Sequence, residues 1–85
     1  MNNKLYVGNI SWNATDESLA EFFSQAGTVV EAKIITDRRT GRSKGFGFVT
    51  MSTEEEADKA IAELNGKELD ERTLKVDRAL PQKQD

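Results

Sequence analysis

The chain has 85 residues, 36% of them hydrophobic and 32% charged, with a net charge of −3 and a pI near 5.0. That length holds one small domain, and the absence of Cys and His excludes disulfides, thiolate chemistry, imidazole acid–base work and His/Cys metal sites. No apolar run approaches the roughly 20 residues that span a bilayer, and Met1-Asn2-Asn3-Lys4 opens no signal-peptide pattern, so a cytoplasmic domain is expected, without membrane, metal or cofactor.

Leu5-Tyr6-Val7 is a short run of strand formers closed by Gly8-Asn9. Thr15 then precedes Asp16 and Glu17, and Leu19, Phe22, Phe23 and Ala26 follow at helical spacing, which predicts a helix over 16–26 ending at Gly27. Val29, Val30, Ile34 and Ile35 place a second strand in 28–36, followed by the loop Arg38-Arg39-Thr40-Gly41-Arg42-Ser43. Residues 44–51 alternate small or charged with aromatic and β-branched side chains and read as a third strand. A second capped helix, over 53–65, buries Ala57, Ala60, Ile61 and Leu64 and closes at Asn65-Gly66. Residues 74–76 give the fourth strand, and residues 81–85, with no apolar side chain, are expected to fray. The domain is placed at 1–80.

The order β-α-β-β-α-β is the ferredoxin-like, split βαβ arrangement of an α+β sandwich. Right-handed crossovers put both helices on one face of a four-stranded antiparallel sheet and leave the other face open. Charge divides the same way. The two helical segments hold eight acids and one base, a sum of −7, so the remainder of the chain carries +4. Residues 37–44 alone carry +3.

Strand alternation decides which side chains meet water. In Lys44-Gly45-Phe46-Gly47-Phe48-Val49-Thr50-Met51, Val49 and Met51 suit a core, with Gly45 and Gly47 on their side allowing the helices to approach closely. Lys44, Phe46, Phe48 and Thr50 then face solvent. Leu5 and Val7 likewise bury, which turns Tyr6 outward. Three aromatic rings beside a cation suit unpaired bases, each with a stackable face and a phosphate next to it. The reverse parity would expose Val49 and Met51 and bury Lys44.

The same residues resemble a known family. Residues 44–51 fit seven of the eight positions of the RNP1 signature of the RNA recognition motif, and Leu5-Tyr6-Val7-Gly8-Asn9-Ile10 is similar to its RNP2 hexamer. The likeness extends over roughly residues 4 to 79. It implies stacking surfaces at Tyr6 and Phe46 to Phe48, with one ring contacting sugars, and a phosphate contact at Lys44. Met51 departs from the usual Phe or Tyr at a position whose parity faces the core, where Met packs adequately. With no second motif, glycine-rich tail or arginine-serine tail in these residues, the chain resembles single-module RNA-binding proteins of bacteria and organelles.

Further candidates follow from charge and parity. Arg38, Arg39 and Arg42 form either a solvated hairpin or a mobile basic arm that clamps an RNA backbone, and the adjacent Lys44 favours the arm. Lys33 and Ile35 oppose Val30, Ala32 and Ile34 in parity and extend the open face. Lys75 and Asp77 do so on the fourth strand, with Arg78 and Ala79 just beyond, where backbone groups could read base edges. Trp12 either stacks on a base at the rim or caps the core. Asn9 is expected to bond within its own turn, and the acids at 16–17 and 54–56 match helix dipoles. The function expected is single-stranded RNA binding by a monomeric, non-enzymatic module that engages about two to four nucleotides. A peptide-binding interaction module is the alternative.

Overall fold

Both helices begin where the sequence supplies a cap. The Thr15 hydroxyl accepts from the Ser18 amide at 3.0 Å while the Ser18 hydroxyl accepts from the Thr15 amide at 2.8 Å, a reciprocal box that starts α1 (Asp16–Phe23). Thr53 accepts from the Glu56 amide at 3.1 Å and starts α2 (Glu54–Leu64). The structure, a computed structural model, describes residues 3–41 and 43–79, apart from the side chains of Ser43 and Lys44. Arg42, the Lys44 side chain and the tail at 81–85, all singled out in the sequence, lie outside the described residues.

The main sheet is formed by β1 (Lys4–Gly8), β2 (Val29–Thr36), β3 (Ser43–Met51) and, after a short hairpin of β4 (Glu68–Leu69) and β5 (Arg72–Thr73), β6 (Lys75–Arg78), joined antiparallel in the order β2-β3-β1-β6. The helices cover one face. Leu5, Val7, Ile34, Val49, Met51 and Val76 turn inward from the sheet to meet Leu19 and Phe23 of α1 and Ala57, Ala60 and Leu64 of α2, all buried. Phe22 and Ile61 are half-buried at the border of this core. The predicted α+β ferredoxin-like sandwich is therefore the observed fold.

Several local expectations need correction. The first helix stops at Phe23 rather than Ala26, because Ser24 shares its amide between Ala20 and Glu21 carbonyls and its hydroxyl bonds Glu21 O at 2.6 Å, tightening the chain into a non-α turn. Val30 does not follow Ala32 and Ile34 inward. The register between β2 and β3 shifts between Val29 and Glu31, so Val29 packs on the core and Val30 is 64% exposed. The glycines of β3 do not make room for helices. A Cβ on Gly47 would fall on the Lys33 carbonyl and the Ile34 Cα, so that position lets the backbone of β2 approach, and Gly45 sits at φ 89° where a second register shift interrupts the ladder.

An unpredicted hairpin, β4 (Glu68–Leu69) and β5 (Arg72–Thr73), precedes the last strand. Its two central residues, Asp70 and Glu71, have φ of 54° and 67°, the pattern of a type I′ turn without the usual glycine. Asn9 anchors it: rather than bonding within its own turn, its amide donates to Thr73 O at 2.6 Å and its carbonyl accepts from Arg72 at 2.9 Å.

At the opposite end of the sheet, Glu56 ties two turns together. Its Oε1 accepts from the Ser52 hydroxyl at 2.5 Å and the Thr28 amide at 3.1 Å, while Ser52 N donates to Thr28 O at 2.9 Å. The Ser52 hydroxyl, aided by the Thr28 amide and Lys59 and opposed by desolvation, holds the Glu56 carboxyl below its ordinary pKa. Glu56 thus stabilises the fold fully above the unfolded carboxylate value and loses that contribution as pH falls through its lower folded value. Glu56→Gln should flatten part of the acid-side loss of stability in urea titrations over about pH 2 to 6, and an unchanged profile would contradict this role.

Phe23 is fully buried and Phe22 only partly, although they are neighbours in sequence. Phe23→Ala should lower stability by about 3–5 kcal/mol in equilibrium unfolding, and Phe22→Ala by clearly less. Equal losses would mean that the α1 face is assigned wrongly.

Candidate nucleic-acid interface

The uncovered face of the sheet is built in rows that run across the strands. In the central row Lys33 of β2 pairs with Phe48 of β3, Phe48 with Tyr6 of β1, and Tyr6 with Asp77 of β6. On one side of it Phe46 pairs with Gly8, and Gly8 with Lys75. On the other side Glu31 pairs with Thr50, and Thr50 with Lys4. Lys4, Tyr6, Lys33, Phe48, Thr50, Lys75 and Asp77 each alternate with a buried aliphatic neighbour, so the core fixes this outward set.

Three rings share the centre. Tyr6 and Phe46 lie 5.9 Å apart at 30°, close to parallel, while Phe48 stands at 67° to Tyr6 and 88° to Phe46, with centroids 6.0 and 6.2 Å away. All three are half-buried: their flanks support one another and their remaining surface faces solvent. The Tyr6 ring leans along its own strand over Gly8, where a Cβ would come within 3.1 Å of the phenol oxygen. The absence of a side chain at Gly8 is therefore part of the ring's seat.

Cations frame this surface. The Lys4 ammonium sits 4.9 Å from the centroid of Phe48. With Glu31, Lys33, Ile35 and Thr50, these two residues line a depression of about 280 Å³. Lys33 and Lys75 are exposed, as are Arg38 and Arg39 in the β2–β3 loop, where the Asp37 carboxylate accepts from the Arg39 amide at 2.7 Å and holds the turn. Among the described residues no group of acids is placed to hold a metal ion.

The structure therefore brings Tyr6, Phe46, Phe48, Lys33, Ile35, Lys75 and Asp77 onto one surface, with Arg38 and Arg39 at its edge. Arg78 turns its side chain to the other face. Its guanidinium pairs with Asp58 of α2, on the helical side, because Arg78 shares the parity of buried Val76. Its side chain is committed there, and only its backbone borders the open face. Trp12 does not cap the core, being 65% exposed. Lys4 and Glu31 also belong to the surface and were not singled out in the sequence; the even-numbered parity of Lys4 with Tyr6 was the signal for the first. Glu31 lies beyond the register shift at Val30, which breaks simple alternation.

Comparison with known proteins agrees with this geometry. The family model of the RNA recognition motif matches residues 5–75. A glycine-rich RNA-binding protein 1 of Mycosarcoma maydis is 57% identical over 76 residues, covering 89% of this chain. The chain spans only 43% of that relative's length. Among solved structures, the RNA-binding protein PG1 superposes with a TM-score of 0.87 at 44% identity, covering 95% of this chain and 98% of that one. A Sxl-lethal protein/RNA complex superposes with a TM-score of 0.90 at 32% identity, covering 98% of this chain and 50% of that one. With the family match running from Leu5 in β1 to Lys75 in β6, through the strands that carry the three rings, the chain belongs to the RNA recognition motif family.

Proposed function

We propose that this chain binds single-stranded RNA on the open face of its sheet and performs no chemistry on it. The carrying observation is the cluster of Tyr6, Phe46 and Phe48, three outward rings within 6.2 Å of one another, beside the Lys4 ammonium. Unpaired bases stack on such rings for roughly 1–3 kcal/mol each and leave their phosphates at the rim, within reach of long cationic side chains. The similarity to an RNA-binding protein of Mycosarcoma maydis and to a solved protein/RNA complex supports the same reading.

Lys4 and a base compete for Phe48. A cation over an exposed ring is worth about 0.5–1 kcal/mol, less than the roughly 1–3 kcal/mol of a stacked base, so the base displaces the ammonium. Lys4 then swings toward the phosphate of that nucleotide. Its contribution moves from ring to backbone instead of being lost.

The acid-rich helices hold −7 on the opposite side, so a polyanion is turned toward the sheet even though the whole chain is acidic. Acids on the open face have a narrower use. Glu31 and Asp77 accept hydrogen bonds only, which suits exocyclic amines and imino groups of bases and disfavours phosphate at those two points.

Phe46→Ala and Phe48→Ala should each weaken binding of a short single-stranded RNA by about 1–3 kcal/mol, read by fluorescence anisotropy, while unfolding remains cooperative. Wild-type affinity in both variants would remove the rings from the interface. If about three phosphates are neutralised, log affinity should fall against log salt with a slope near −2, and Lys4→Ala should make it shallower by about 0.7. A slope indistinguishable from zero would refute the ionic part of the reading.

A further inference from the structure

Trp12 is the one tryptophan of the chain, and 65% of its surface is exposed. Exposed side chains are ordinary, but an indole is a large apolar area to present to water, and its surroundings give it a use. It stands in the loop between β1 and α1, and the depression beside it, of about 430 Å³, is also lined by Thr15, Asp16, Lys33, Thr36 and Gly41. One oxygen of Asp16 is already engaged, accepting from the Ile34 amide at 2.8 Å.

Lys33 joins this place to the ring platform. It lines the Trp12 depression and also the one that contains Phe48, and it is the register partner of Phe48 on the edge strand β2. A strand of RNA leaving the sheet across β2 would therefore pass Lys33 and arrive at the indole. Exposed Arg38 and Arg39 stand in the adjoining loop and offer cations to its phosphates.

Resting on the reading that the open face binds RNA, we infer that Trp12 is a further stacking platform, which takes an unpaired base beyond those held by Tyr6, Phe46 and Phe48. The path from Phe48 over β2 to the rim is about two strand spacings, roughly 10 Å. That exceeds the reach of a single stacked base, so the base on Trp12 belongs to a different nucleotide from the one on Phe48. Engagement of the indole accordingly has a length threshold that the sheet rings do not share.

The single indole makes its own reporter. The intact chain is titrated with oligouridine of about two to about eight nucleotides, following tryptophan fluorescence and, in parallel, the amide resonances of β1 and β3. The shortest oligonucleotide should shift the sheet resonances and leave the indole unchanged, whereas the longer ones should perturb both. Trp12→Ala should weaken binding of the long oligonucleotides by roughly 5- to 100-fold without altering affinity for the shortest, and Trp12→Phe should restore most of the loss. Sheet resonances that shift while the indole stays silent at every length, or a Trp12→Ala variant that binds all lengths as wild type, would overturn this inference alone. If neither the sheet nor the indole responds, the RNA reading fails and this inference with it.

Discussion

The arrangement depends on one constraint: a β-sheet covered by helices on a single face must sort each strand by alternation. Leu5, Val7, Val49 and Met51 are fully buried beneath α1 and α2, and their burial leaves Tyr6, Phe46 and Phe48 no side but the open one. Burying the aliphatic set is what stabilises the fold, so the outward rings are held in place by packing in which they take little part. A site whose geometry is set by the core beneath it is pre-organised, and ligand binding need not order the groups that make contact. The close passage of β2 at Gly47 and the bare Cα of Gly8 under the Tyr6 ring serve the same end.

Electrostatics repeats the division made by packing. Acids collect on the helices, where the first turns of α1 and α2 favour them, while Lys4, Lys33 and Lys75 stand on the sheet. A domain with a net charge of −3 can thus present a cation-framed surface, although total charge alone would argue against a polyanionic partner.

The caps, both helices, the order of elements and the inward and outward sets of β1 and β3 were legible in the sequence, because each rests on local rules that packing then reinforces. What escaped lies where local rules give way. Asp70 suits the first place of such a turn but Glu71 stands where glycine is usual, so the β4–β5 hairpin lacked its full signal in the residue types. The bulge at Val30 inverts the parity of one residue, and no residue type announces a register shift. Asn9 was misread for a related reason: its partners, in the Arg72–Thr73 segment, are far away in sequence and near only in the folded chain.

The central claim is that RNA lies directly on the three rings of the open face. Isotope-edited NMR of the chain saturated with a short single-stranded RNA tests it most directly, by intermolecular contacts between ring protons and the protons of bases or ribose. The account predicts such contacts from Tyr6, Phe46 and Phe48, with none from Phe22 or Phe23 in α1. RNA protons that contact α1 or α2 while those three rings remain silent would contradict it.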